Sequence, residues 1–153
     1  MCGIPGCGKS TIIESIRKEY DVAIVCPDDY RLLLTGKTFY EPAEDFVWAS
    51  VKLAAKALLH RNHSVIIDAT NTGTFQRSNW IKVAKEFGVP VICHAVIVQV
   101  GVAIERNAGR PFPVPDEVIR RMAGAFVAPS LKEGIEKVIF YDKDGKVTKE
   151  ACK

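Results

Sequence analysis

Gly3-Ile4-Pro5-Gly6-Cys7-Gly8-Lys9-Ser10 is the stretch that decides the fold of this chain, and it lies at the start of the sequence. Its spacing, G-x-x-x-x-G-K-S, is typical of a loop that binds phosphate groups. Glycines let the backbone curl until several N–H groups point at one phosphate, and the following helix adds the positive end of its dipole. The alternative is a plain glycine-rich turn, but the direct passage into a helix-like run favours the phosphate loop.

The polar side chains of this loop have expected tasks. The Lys9 ammonium can reach the β- and γ-phosphates of a nucleotide, and the Ser10 hydroxyl can ligate Mg²⁺. We therefore predict ATP and Mg²⁺ as cofactors. We expect the nucleotide to be bound by the loop, by the start of the following helix and by one arginine from later in the chain. These residues are Gly3, Pro5, Gly6, Cys7, Gly8, Lys9, Ser10, Thr11 and Arg106.

The beginning of the chain is unusual for such a loop. A phosphate loop normally follows a buried parallel strand of about five apolar residues, yet only Met1 and Cys2 precede Gly3. Either the central strand is very short, or the natural chain extends upstream of Met1. We expect the second.

Composition predicts one ordinary globular domain. The 153 residues are 48% hydrophobic and 25% charged, which suffices for a core. No apolar run approaches the ~20 residues that span a bilayer, so we expect no membrane partner. The five cysteines are odd in number and contain no C-x-x-C pair, which favours free thiols in a reducing cytosol over disulfides or a zinc site. The net charge of +3 permits a polyanionic acceptor without requiring one.

Apolar runs alternate with helix-periodic runs, which indicates an α/β domain with a parallel sheet. Strands are predicted at 22–26, 65–68, within 89–98 and at 138–141, and the residues after 141 read as a charged tail with a turn at Asp144-Gly145. A long helix is predicted over 42–60. The residues expected on its buried face are Phe46, Leu53, Ala54, Ala57 and Leu58.

A second group of candidate residues, Asp28 and Arg31, directly follows the strand predicted at 22–26. Ligands of doubly wound sheets bind at the carboxyl ends of strands, so this segment is expected to face the ligand of the phosphate loop. Asp28 can take a proton from the attacking hydroxyl of an acceptor molecule, while Arg31 binds an anionic group of the same acceptor. The alternative is that Asp28 and Asp29 only stabilise a helix N-terminus, and we expect that role for one of them.

Three further residues complete the predicted site. Asp68 ends a buried strand, where a carboxylate can lie near Mg²⁺ or orient Arg31; an ordinary turn residue is the alternative. Arg106 and Arg110 are four residues apart, and we expect them to share a helix face in a lid that closes over the transferring phosphate. Arginines on a solvated helix are the alternative.

With GIPGCGKST, DDYR, IIDATN and RNAGR in this order over about residues 1–130, the chain resembles the phage-type 5′-hydroxyl polynucleotide kinases and related small P-loop kinases. The resemblance implies a three-layer fold with a five-stranded parallel sheet, the strand of the phosphate loop at its centre, and helices on both faces. Length, composition and the position of the two arginines predict one kinase domain over 1–153 with a lid at about 106–115, and the resemblance places Arg110 in that lid. It also assigns roles to side chains: Asp28 as general base, Arg31 on the 3′-phosphate of the acceptor with Asp68 beside it, and Arg110 at the transition state.

The predicted activity is transfer of the γ-phosphate of ATP to an alcohol, foremost the 5′-hydroxyl of a nucleic acid. The first alternative is a kinase for a small hydroxylated metabolite or antibiotic. The second is an ATP-binding module that hydrolyses ATP slowly to switch a partner. The sequence carries no Asn-Lys-x-Asp motif of GTPases, which disfavours the switch. It leaves the acceptor and the oligomeric state open.

Overall fold

Helices and strands alternate along most of the chain, as the spacing of apolar residues predicts. The computed structural model describes all residues from 1 to 153. Its helices are α1 (Lys9–Glu19), α2 (Pro27–Thr35), α3 (Glu44–His60), α4 (Thr74–Glu86), α5 (Val100–Ala108) and α6 (Asp116–Gly124). Its strands are β1 (Val22–Val25), β2 (Ser64–Ile67), β3 (Ile92–Val96), β4 (Lys137–Tyr141) and β5 (Val147–Cys152). None of the helices combines the length and the hydrophobicity needed to cross a bilayer.

Residues 13–69 form one of two compact units. In this unit β1 and β2 pair in parallel, with Val22 opposite Ser64 and Val25 opposite Ile67. Parallel neighbours need a crossover connection, and α2 and α3 supply it. The carboxyl ends of both strands therefore lie at one edge of this small sheet.

The buried face of α3 differs from the predicted one. Phe46 and Leu53 are 62% and 69% exposed, whereas Val47, Val51 and Ala55 are completely or almost completely buried. The buried residues recur every four positions, and so form one stripe along the helix. Ala54 and Leu58 of the predicted stripe are half-buried, whereas Phe46, Leu53 and Ala57 are exposed, because α3 is apolar on two faces and periodicity alone does not say which face is buried.

Residues 1–12 and 70–153 form the other unit. Its sheet has the order β3-β4-β5, in which β3 and β4 are parallel and β4 and β5 antiparallel. The core of this unit is a cluster of small and branched side chains. Its buried members are Cys2, Ile81, Cys93, Ala95, Ile135 and Val138.

The prediction of one five-stranded parallel sheet is therefore wrong in its detail. Five strands are present, but they form sheets of two and three, and β5 is antiparallel. The segment before the phosphate loop contributes only a parallel bridge between Cys2 and Ala95. The predicted charged tail is β5, because the Asp144-Gly145 turn folds it back along β4 as a hairpin.

His94, in β3, makes the stability of the fold depend on pH. Its Nδ1 lies 2.8 Å from the Tyr141 hydroxyl, and burial, with smaller contributions from the N-terminal amino group and Lys137, lowers the pKa of His94 to about 4. The unfolded chain, with a His pKa near 6.5, takes up the proton first as the pH falls. We expect this contribution, about 3 kcal/mol at most, to be complete above pH 6.5 and lost as the pH falls to about 4.

Urea unfolding measured from pH 7.5 to pH 4 tests this expectation. His94→Gln should flatten the profile over that range, whereas His60→Gln, at an exposed position, should leave it unchanged. A His94→Gln profile parallel to that of the wild type would contradict the assignment.

Candidate active site

The phosphate loop, Gly3–Ser10, has a backbone that only glycine fits at three positions, of which the first is Gly3, with φ of 150°. Gly6 has φ of 77° and Gly8 has φ of 109°, in the region that side chains disfavour. A Cβ atom on Gly6 would also lie 2.1 Å from the carbonyl oxygen of Ala103. The loop thus packs directly against α5, where only a glycine at position 6 leaves room for the Ala103 carbonyl group.

The Lys9 side chain folds back over this loop. Its Nζ donates to the carbonyl oxygens of Gly3 and Ile4, both at 3.0 Å. The ammonium is therefore held at the loop without a carboxylate partner in these contacts, and its charge is available to a phosphate. Ser10 and Thr11 follow in the first turn of α1, and both are exposed.

Buried contacts fix the two residues that lead into the loop. The Asn71 side chain donates to the carbonyl oxygen of Met1 at 2.9 Å, and the backbone carbonyl of Asn71 accepts from Arg77 at 3.0 Å. Arg77, only 4% exposed, also makes a two-pronged ion pair with Glu133, at 2.7 and 2.9 Å. This network connects the residue at the start of the loop segment, Met1, through Asn71 and Arg77 to Glu133.

A cleft of about 340 Å³ opens beside the phosphate loop. It is lined by Gly8, Thr11, Arg106 and the β4–β5 turn at Asp142–Gly145. The Arg106 guanidinium donates to the carbonyl oxygen of Lys143 at 2.8 Å and so lies along one wall. Sequence reasoning missed the contribution of this turn, although its Asp-Gly pair was a visible signal.

The predicted lid has a different structure from the one expected. Helix α5 ends at Ala108, so Arg110 lies beyond the helix and does not share a helical face with Arg106. The Asn107 side chain, 1% exposed, donates to the carbonyl oxygen of Val114 and accepts from its N–H, at 2.8 and 3.0 Å. These two bonds attach the proline-rich segment at Val114 to the end of α5. Arg110 lies in the loop between Asn107 and Val114 and is exposed.

In the unit of residues 13–69, Asp28 and Arg31 meet as predicted. Arg31 Nη1 donates to Asp28 Oδ1 at 2.5 Å, one helical turn along α2. Arg31 Nε and Nη2 donate to the two oxygens of Glu44, both at 2.7 Å, and the guanidinium lies 5.7 Å from the Trp48 ring centroid. We call Asp28, Arg31, Glu44 and Trp48 the α2 cluster.

Glu44 is the residue of this cluster that sequence reasoning missed. Hydrogen bonds from Arg31 hold the pKa of Glu44 below its usual value, and Glu44 in turn raises the pKa of Arg31. The sequence shows that Glu44 is an acidic residue at the start of a helix. It does not show that Glu44 pairs with Arg31, which lies 13 residues earlier in the chain. The Glu44 pair fixes one edge of the guanidinium, while the Asp28 carboxylate stays mostly exposed, at 61%.

Asp68 lies at the edge of the sheet where α2 begins. Its backbone N–H donates to the carbonyl oxygen of Val25 at 3.0 Å, so Asp68 continues the pairing of β2 with β1. Burial raises the pKa of the neighbouring Cys26 thiol, and the charge of Asp68 adds to that effect. The carboxyl edge of this sheet thus presents Asp68 and the N-terminus of α2 together, as predicted. The carboxylates that orient Arg31 are those of Asp28 and Glu44.

The residues predicted for the site fall into two groups. The phosphate loop and Arg106 lie in one unit, and Asp28, Arg31 and Asp68 lie in the other. The chain contains no group of three or more His, Cys, Asp or Glu side chains placed so that they could hold a metal ion. The donors present fit Mg²⁺ nevertheless, because this ion is commonly bound by one or two protein oxygens together with substrate phosphates and water.

Comparison with known proteins identifies the family. Residues 1–129 match the family model described as an AAA domain. The chain is 28% identical to the L-seryl-tRNA(Sec) kinase of Methanococcus maripaludis over 86% of its own length and 53% of that protein. It is 27% identical to the shikimate kinase of Clostridium beijerinckii, over 90% of this chain and 70% of that protein.

Solved structures give the same fold. A chain of the Pnkp1/Rnl/Hen1 RNA repair complex superposes with a TM-score of 0.73 and 25% identity, covering 81% of this chain and 42% of that one. The chain thus spans about half the length of the seryl-tRNA kinase and less than half of the RNA repair protein. The matched region contains the phosphate loop, the α2 cluster, Asp68, Arg106 and Arg110, and the chain belongs to the AAA domain family, with an α/β fold of the P-loop kinase type.

Proposed function

We propose that this chain is an ATP-dependent phosphotransferase that moves the γ-phosphate onto the 5′-hydroxyl group of a polynucleotide. The observation that carries the phosphotransfer is the phosphate loop, with its glycine-only curvature and the Lys9 ammonium held at the loop. The names of two relatives, a seryl-tRNA kinase and a shikimate kinase, support a kinase. The seryl-tRNA kinase and the RNA repair complex support a nucleic acid as the acceptor.

In this proposal the protein supplies position and charge more than bond-making chemistry. Lys9 and the loop amides bind the β- and γ-phosphates, and the cleft beside Arg106 takes the nucleotide base. Ser10 and Asp68 would hold Mg²⁺, which neutralises phosphate charge when bound. Residues 1–153 act as one kinase domain with its lid at about 106–115.

Asp28 is assigned the one proton transfer. The acceptor oxygen forms a bond to the γ-phosphorus, the bond to the oxygen between the β- and γ-phosphates breaks, and that oxygen leaves with the electron pair as ADP. The proton of the acceptor hydroxyl goes to the Asp28 carboxylate. Arg31 holds the 3′-phosphate of the acceptor, and Arg110 stabilises charge on the equatorial oxygens of the transferring group.

A small-molecule kinase is the second candidate, and one observation favours it. Two carboxylates surround the single guanidinium of Arg31, so the α2 cluster carries a net charge of −1 when both are ionised. Such a cluster attracts an acceptor phosphate less than an unpaired arginine does. A hydroxylated acceptor without a phosphate at this place suits the cluster better.

Phosphoryl transfer from γ-labelled ATP separates the candidates. The acceptors are a 5′-hydroxyl oligonucleotide, a nucleoside 3′-monophosphate, the same nucleoside without phosphate, and shikimate. We expect label on the oligonucleotide and on the nucleoside 3′-monophosphate, and at least tenfold less label on the free nucleoside. The Lys9→Ala variant gives the background level of labelling. Label on shikimate alone would support the small-molecule kinase. The absence of label on the oligonucleotide and on the nucleoside 3′-monophosphate would contradict the polynucleotide kinase. Steady ATP hydrolysis that rises only with a protein partner, with no labelled acceptor, would favour the ATP-hydrolysing switch.

A further inference from the structure

Trp48, a member of the α2 cluster, is held in one orientation by its neighbours but is not covered by them. Its indole N–H donates to the carboxylate of Glu44, one helical turn earlier in α3, and so adds to the lowering of the Glu44 pKa by Arg31. The Arg31 guanidinium lies over the indole, with Cζ 5.7 Å from the ring centroid. Trp48 nevertheless remains 38% exposed. The cluster therefore presents an oriented aromatic ring to a ligand.

Arg31 itself has little capacity left for an acceptor phosphate. Three of its N–H groups already donate to Asp28 and Glu44, and its side chain is only 13% exposed. The two carboxylates offset its charge, so its attraction for an anionic group is weak. The Asp28 carboxylate and the Trp48 ring are more exposed. The first can accept a proton, and the second can bind a flat apolar group.

We propose that Trp48 is a binding residue for the acceptor, and that the base next to the reacting 5′-hydroxyl group stacks on its ring. This inference rests on the proposed function, because it takes Asp28 as the residue beside that hydroxyl group. Asp28 contacts the edge of the Arg31 guanidinium and Trp48 contacts its face. The two side chains thus lie close enough for one nucleoside to contact both, with its sugar between them.

Stacking on Trp48 also specifies the class of acceptor. Every base has a flat π face, so an aromatic side chain binds unpaired bases with little regard to sequence. We therefore expect the acceptor to have an unpaired base at its 5′ end, and any of the four bases to serve. Stacking requires little positive charge, which agrees with the net charge of −1 of the ionised α2 cluster and of only +3 for the chain.

Fluorescence of Trp48 measures this stacking without any turnover. The chain has two tryptophans, so Trp80→Phe leaves Trp48 as the only one. We expect a 5′-hydroxyl trinucleotide to quench its emission in the absence of ATP. The same trinucleotide with an abasic sugar at its 5′ end should bind about 10- to 100-fold more weakly, as measured by the anisotropy of a dye at the 3′ end. Equal affinity of the two trinucleotides would overturn the inference, as would binding without quenching.

Kinetics of the full chain separate stacking from a structural role. Trp48→Leu keeps an apolar group beside Arg31 but no ring, and should raise the KM for the oligonucleotide about 10- to 100-fold while the KM for ATP stays within about threefold. Trp48→Phe keeps a ring and should stay within about fivefold of wild type. Equal effects of leucine and phenylalanine would overturn the inference.

Phe46→Leu is the matched control for these kinetics. Phe46 is another exposed aromatic residue of α3, but it lies two positions earlier and so about 160° around the helix from Trp48. Its substitution should leave both KM values unchanged. Circular dichroism of each variant establishes that it is folded.

The same measurements distinguish failure of this inference from failure of the proposed function. An oligonucleotide phosphorylated equally well by the wild type and by Trp48→Leu would overturn the stacking and leave the polynucleotide kinase in place. A wild-type chain that neither binds nor phosphorylates an oligonucleotide would contradict the proposed function, and the inference with it.

Discussion

Lys9→Ala is expected to lower kcat/KM for phosphoryl transfer about 10³-fold or more, a loss of roughly 4 kcal/mol of transition-state stabilisation. The side chain is the one cation attached to the phosphate loop itself, and its Nζ is already held at the loop by the carbonyl oxygens of Gly3 and Ile4. Charge builds up on the phosphate oxygens as the phosphoryl group transfers, and a fixed ammonium stabilises that charge without reorganisation. Alanine supplies no charge in its place.

Lys18→Ala is the matched control for this measurement. Lys18 is an exposed lysine in the last turn of the same helix, α1, so the substitution removes the same functional group from the same element. We expect it to change kcat/KM less than twofold. Both variants should retain the wild-type circular dichroism spectrum. A Lys9→Ala enzyme with more than a tenth of wild-type activity would show that the loop does not act through this lysine.

The phosphate loop could be predicted residue by residue because its geometry is local. The positive φ angles of Gly3 and Gly8 belong to positions that the motif already reserves for glycine, so no distant contact had to be known there. The same holds for the meeting of Asp28 and Arg31, which are one helical turn apart. The local part of the site follows from spacing alone.

Non-local contacts were not predictable in the same way. Glu44 pairs with Arg31 only because α3 packs on α2, and nothing in the spacing of the two residues indicates it. Strand β5 is largely exposed and polar, so it lacks the apolar run by which the other strands were found. The buried face of α3 was predicted wrongly at Phe46 and Leu53, because their spacing of seven residues is as typical of a helix as the spacing of four between the buried Val47 and Val51.

The second large effect is expected for Asp28→Asn, which should lower kcat 10²- to 10⁴-fold and leave the KM for ATP within about threefold of wild type. The amide keeps the size and a hydrogen-bond acceptor for Arg31 but cannot accept the acceptor's proton, and general base catalysis is worth about this range. The KM for ATP is spared because this residue acts on the acceptor in our proposal. Lys9→Ala, in contrast, should impair the use of ATP itself.

Asp29→Asn separates a catalytic carboxylate from one that only stabilises the helix. Asp28 and Asp29 are neighbours in the first turn of α2, both exposed, so each interacts with the helix dipole by a similar 0.3–1 kcal/mol. Asp28→Asn also removes the charge that pairs with Arg31, so it should lower the melting temperature at least as much as Asp29→Asn. Only Asp28→Asn should lower kcat 10²- to 10⁴-fold. Equal loss of kcat in both variants would mean that the pair stabilises α2 and that the base lies elsewhere. A normal kcat in Asp28→Asn would contradict the assignment directly, whatever Asp29→Asn does.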